Sequence, residues 1–150
     1  MRKKIVAGNW KMNKLLEEAN TLTSEVKGMI EDEVKSGTVV VLCTPFPYLL
    51  TTKNLLGKNP RVHVGAQNCS EHASGAYTGE VSAPMLKSME IPYVIIGHSE
   101  RRQYFGEDGP LLAKKVDIAL VNELTPIFCC GEPLEIREKG THEALVKQQV

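Results

Sequence analysis

Asn9, Lys11 and His98 are the residues whose types and positions best support chemistry on a small anionic substrate. Lys11 stands just past a short apolar run, Ile5 to Ala7, and puts a compact positive charge where it could hold a phosphate or stabilise a developing enolate oxygen. Taken alone, a lysine in this place is more often simply a solvated side chain, because long cationic residues are mostly exposed. His98 follows the apolar segment PYVIIG and precedes Ser99 and Glu100, which read as the cap and first turn of a helix. A neutral imidazole there could donate a hydrogen bond to a substrate carbonyl and exchange protons near pH 7. Structural hydrogen bonds would explain the same histidine. Glu100 could orient Lys11 or take part in proton transfer, or simply pair with Arg101 or Arg102. Ser99 lacks the GxSxG elbow of a serine nucleophile. His63, His72 and His142 show no metal-ligand spacing.

These residues need a scaffold that brings distant loops together. Five apolar or β-branched runs recur: IVAG at Ile5, TVVVLC at Thr38, RVHVGA at Arg61, PYVIIG at Pro92 and TPIFCCG at Thr125. Continuous apolar character suits strands covered on both faces, the mark of a parallel sheet. Crossover helices fit between them. Lys14 to Ile30 places Leu16, Ala19, Thr23, Val26 and Ile30 on one face, with Asn13 as its cap. A second helix starts near Asp108, tolerates Pro110 in its first turn, and buries Leu112, Val116, Ala119 and Leu120 before Asn122. The polar stretch from Gln67 to Glu90 holds at most a short helix, Ser82 to Met89; loops of this length are usually functional or mobile. In parallel α/β folds the loops after the strands converge, which groups Asn9, Lys11, Gln67, Asn68, His98, Ser99, Glu100, Cys129 and Glu132 as candidates. A doubly wound open sheet and part of a (β/α)₈ barrel both satisfy this pattern. The segment GNWKMN does not match GxGxxG, and no GxxxxGK[ST] loop occurs, which weakens a nucleotide-binding reading.

Composition narrows the partners. Eighteen basic residues balance eighteen acidic ones, leaving no broad attraction for nucleic acid or an anionic membrane. The apolar run after Met1–Lys4 is too short for a signal peptide, and no run reaches membrane-spanning length. Four cysteines without CxxC spacing fit a reducing cytoplasm and argue against a structural zinc site. The chain of 150 residues ends on THEALVKQQV, where Thr141 could cap a helix that has no Gly, Asn or Pro to stop it. It reads as a helix cut short.

The segments AGNWKMN, GAYTGEVS, IIGHSERR and CCGEPLE resemble the triosephosphate isomerase family in order and spacing, and the resemblance spans the whole chain. It implies an α/β fold that is a partial (β/α)₈ TIM barrel, with residues 1–150 the N-terminal part of one barrel domain ending within the helix after strand five. The implied activity interconverts D-glyceraldehyde 3-phosphate and dihydroxyacetone phosphate through an enediol or enediolate in glycolysis and gluconeogenesis, with no cofactor and no metal. On that pattern Asn9 and Lys11 bind the substrate, Lys11 acts electrostatically, and His98 is the neutral electrophile. Ser99 and Glu100 line the site, and Cys129 packs near the catalytic base. Thr78, on a glycine-rich loop, would reach into the partner subunit of a homodimer. Cys130 replaces what is often an aliphatic residue in the family. The carboxylate base, the closing lid and the main phosphate-binding amides fall after the sixth strand of the family pattern, so these 150 residues alone are expected to be inactive. A non-catalytic homodimerising module is the alternative, and a Schiff-base aldolase using Lys11 a third reading.

Overall fold

The computed structural model describes residues 3–150. Five parallel strands, β1 (Ile5–Asn9), β2 (Val39–Thr44), β3 (Val62–Ala66), β4 (Tyr93–Ile96) and β5 (Thr125–Phe128), lie side by side in sequence order. This order separates the two topologies the sequence leaves open. A doubly wound sheet reverses its direction of growth at a switch point, whereas here every new strand adds on the same side, as in a barrel. The five strands form a curled half-barrel with helices between them.

The strands alternate with period two between the two faces. Val39, Val41 and Cys43 of β2, with Tyr93 and Ile95 of β4, form one buried cluster, joined by Ile127. Leu42, Val62, Val64, Ala66, Val94 and Ile96 belong to the other, which packs under the helices. Gly65 faces the first cluster because a Cβ there would lie 2.8 Å from the Cys43 Sγ and 3.0 Å from Val41. Burial on both faces holds for β2 and β4. It fails for β1, whose Ile5 is 42% and Val6 60% exposed, and β5 is only half-buried. Both are sheet edges, and each pairs on one side only among the described residues.

The helices are α1 (Leu16–Glu33), α2 (Leu49–Leu56), α3 (Ala83–Ser88), α4 (Ser99–Tyr104), α5 (Gly109–Val121), α6 (Leu134–Glu138) and α7 (His142–Gln149). Ala19, Thr23 and Ile30 of α1 are buried as its periodicity predicts. Its start differs from expectation: Asn13 donates to the Trp10 carbonyl at 2.8 Å, and Lys14 has φ of 76°, so neither begins a helix. Leu15 is the cap instead, its N–H bound by the Glu18 carboxylate at 2.8 Å, and Leu16 is half exposed. For α5, Asp108 Oδ1 accepts the Leu111 N–H at 3.0 Å, and Leu112 and Ala119 are buried. Leu120, one step round the helix from Ala119, is 56% exposed; the buried position on that face is taken by Lys115. The short helix after Ser82 is present as α3, with Ser82 capping the Met85 N–H. Thr141 occupies the cap position of α7 without a side-chain capping bond. Among the described residues no helix is long and apolar enough to cross a membrane.

Candidate active site

At the carboxyl end of β1 the chain turns sharply to present Lys11. The Asn9 Oδ1 accepts the Lys11 N–H at 2.9 Å, and Lys11 itself adopts φ of 54°, a left-handed conformation that L-residues rarely take. Its carbonyl accepts the Gln67 Nε2 at 2.8 Å, across from the end of β3. The Lys11 ammonium then meets the Glu100 Oε1 at 2.7 Å. That hydrogen bond is the main reason the Glu100 carboxyl is held below the ordinary carboxylate range, with the charges of Lys11 and His98 acting in the same direction. Of the partners the sequence offers Glu100, the structure selects Lys11: Arg101 pairs with Glu107 at 2.6 Å, and Arg102 turns to backbone carbonyls.

His98 ends the β4 loop and is itself the N-cap of α4. Its Nδ1 accepts the Glu100 N–H at 3.3 Å, so the cap falls on the imidazole and not on Ser99, which is the first helical residue. This bond assigns the tautomer: with Nδ1 an acceptor, the neutral ring carries its hydrogen on Nε2. The Glu100 residue thus serves both groups through different atoms, its backbone N–H to the His98 Nδ1 and its carboxylate to the Lys11 ammonium. Gly97 makes the turn possible. It has φ of +79°, and a Cβ there would lie 2.9 Å from the Arg102 guanidinium and 3.1 Å from the Cys129 carbonyl. Arg102 fills that space, donating to Gly97 O at 2.8 Å and Cys129 O at 3.0 Å, and so fastens the β4 and β5 loops together.

Below the loops lies a buried polar network. The Lys115 ammonium donates to Glu107 at 2.6 Å and to the Asn68 Oδ1 at 3.0 Å, and the side chains of Lys115 and Glu107 are each only 3% exposed. Burial pushes the Glu107 carboxyl up, but its hydrogen bonds and charge contacts with Lys115 and Arg101 together outweigh burial and hold it below its ordinary value. Asn68 therefore supports the β3 loop from beneath. The sequence reading overlooks Lys115 and Glu107, although a lysine three residues after Leu112 on an otherwise apolar helix face signals a buried charge.

Ser99, Cys129 and Glu132 line an open cleft of about 890 Å³ beside His98, which Gln149 also bounds. Glu132 pairs with Arg137 at 2.9 Å. The Cys129 thiol is half-buried, and burial raises it. Thr78 is exposed on the loop between β3 and α3, which is ordered locally by the stacked rings of His72 and Tyr77, 3.8 Å apart; among the described residues no hydrogen bond ties Thr78 to Asn9, Lys11 or His98. Among the described residues no group of three or more His, Cys, Asp or Glu could hold a metal ion.

A family model described as triosephosphate isomerase matches residues 4–150. Curated relatives carrying that name are 55% identical in Cytophaga hutchinsonii, 47% in Amoebophilus asiaticus and 50% in Bacteroides fragilis, each over 150 residues. All of this chain is covered in those matches, and it spans 59% of the length of each relative.

Proposed function

Because the chain belongs to the triosephosphate isomerase family, we propose that its loops supply the binding and electrophilic half of an aldose–ketose isomerase acting on D-glyceraldehyde 3-phosphate and dihydroxyacetone phosphate. The observation that carries this reading is the His98 Nδ1 accepting the Glu100 N–H, which leaves Nε2–H available to a carbonyl oxygen, while the carboxylate of that same Glu100 holds the Lys11 ammonium. This family is an established case of a neutral imidazole polarising a carbonyl. Proton removal next to that carbonyl builds negative charge on its oxygen. Donation from Nε2–H and the field of the Lys11 ammonium both stabilise that charge. The phosphate would compete with Glu100 for Lys11, and Asn9 would hold the turn while contributing to binding.

The proton-abstracting carboxylate is the group this half requires from elsewhere. Glu100 is engaged with Lys11 and Glu132 with Arg137, so neither is assigned that role. General bases contribute about 10² to 10⁴ in rate, and a mass-verified polypeptide of these 150 residues alone should show negligible isomerisation; robust turnover would refute the assignment. In the full-length polypeptide, His98→Gln should lower kcat by about 10² to 10⁴ with little change in KM. Lys11→Ala should weaken phosphate binding as well. Unchanged kinetics in both would reject the roles. Self-association through the loop carrying Thr78, and residence in the cytoplasm, belong to the same proposal. A chain that dimerises in size-exclusion chromatography yet ignores glycerol 3-phosphate would instead be a non-catalytic module.

A further inference from the structure

We propose that Gln67 is a positioning residue for Lys11: its amide holds the lysine's left-handed backbone and thereby sets where the ammonium meets an anionic group. The inference rests on the reading of Lys11 as the anion-binding cation. A non-glycine residue in the left-handed region is strained and persists only where its surroundings over-determine it. Three contacts surround Lys11, and they are not equivalent. Glu100 holds the ammonium, the group an incoming anion would itself contact. Asn9 Oδ1 binds the N–H from only two residues away, so it moves with the turn. Gln67 acts from 56 positions along the chain, and its Nε2 reaches both the Lys11 carbonyl at 2.8 Å and the Cys43 carbonyl at 3.0 Å.

The second of those bonds makes the first rigid. The Cys43 carbonyl also accepts the Trp10 N–H at 3.0 Å, so the carboxyl ends of β1, β2 and β3 are tied at one oxygen. Gln67 extends this tie to Lys11. Few residue types could do so. One primary amide nitrogen offers two donors without charge. Glutamate has none, and lysine or arginine would bring a second cation to compete for the anion. Asparagine is one methylene shorter and would not span both carbonyls.

The test uses the full-length polypeptide and Gln67→Met, which keeps the chain length but removes both donors. Lysine-selective ¹³C and ¹⁵N labelling reads the Lys11 backbone, and calorimetry reads glycerol 3-phosphate binding. The variant should shift Lys11 out of the left-handed region and weaken binding by roughly tenfold, about one hydrogen bond's worth. In the Lys11→Ala background the substitution should have no further effect on binding, a coupling that a merely structural role would not produce. Unchanged Lys11 shifts, unchanged affinity, or additive losses would each overturn the proposal. If the wild-type protein ignores glycerol 3-phosphate, the functional reading fails and the labelling experiment alone decides the role of Gln67. Should Gln67→Met not fold, Gln67→Asn serves, with the same directions and smaller effects.

Discussion

Replacing Glu107 by glutamine should be among the most destabilising single-atom changes in the protein. The Lys115 ammonium has two partners, Glu107 at 2.6 Å and Asn68 at 3.0 Å, and with 3% exposure it has little recourse to water. A neutral amide in place of the carboxylate would leave that ammonium without a counter-charge. It also creates a second problem. Glu107 Oε2 is buried with no hydrogen-bond partner among the described residues. If the introduced amide oxygen faces Lys115, its NH₂ occupies this unpartnered place; if it is flipped, two donors confront Lys115 and Arg101. Breaking a buried pair by removing one charge costs about 3–5 kcal/mol, a large part of the roughly 5–15 kcal/mol of a typical domain. With a urea m-value of about 2 kcal/mol/M, the unfolding midpoint should fall by roughly 2 M. The double variant Glu107→Leu/Lys115→Met removes both charges, and Arg101, partly exposed, can turn to solvent. It should therefore be less damaged than Glu107→Gln. A loss below about 1 kcal/mol, or a double variant worse than the single, would refute this account of the network.

Acid titration tests the same group independently. Because the folded Glu107 carboxyl lies below its ordinary value of 4.5, the unfolded chain binds more protons there; its contribution is complete above that pH and is lost as pH falls through the folded value, and Glu107→Gln should flatten the slope in that window. Gly97→Ala should cost about 1–2 kcal/mol for its left-handed backbone alone, and more from the approach of Cβ to Arg102 and Cys129; a thermal midpoint and kcat equal to wild type would reject the role given to this turn. Thiol labelling at pH 8 followed by peptide mass spectrometry should modify exposed Cys130 first. Cys43 and Cys69, pushed up by burial to about 12 and about 11, should react only on unfolding, and early modification of either would contradict their placement in the core.

The parts of the fold that were legible are those in which local pattern and tertiary role coincide. Val39 to Leu42 read as a strand because both faces of β2 are covered, whereas β1, whose apolar residues stand exposed, is an edge of the sheet. Barrel order was legible from the family motifs and not from the apolar runs, because local pattern does not record the side on which a strand joins its neighbour. The motif residues were found by type, yet their polar atoms serve differently from what type suggests. Asn13 binds a turn carbonyl where a helix cap was expected, and His98 takes the capping bond assigned to Ser99. Lys115 occupies a position that helical periodicity reserves for an apolar side chain. In each case a backbone group or a buried charge had to be satisfied, and the partner that satisfies it is distant in sequence or disguised by a better-known role. The same requirement explains why Gln67 was only one candidate among several in the sequence but becomes specific in the structure. Its side chain looks like a substrate ligand until the carbonyls of Lys11 and Cys43 are seen to use both of its donors. In the proposed function Lys11 and His98 bear the chemistry, and the polar residues around them hold a left-handed turn and one imidazole tautomer.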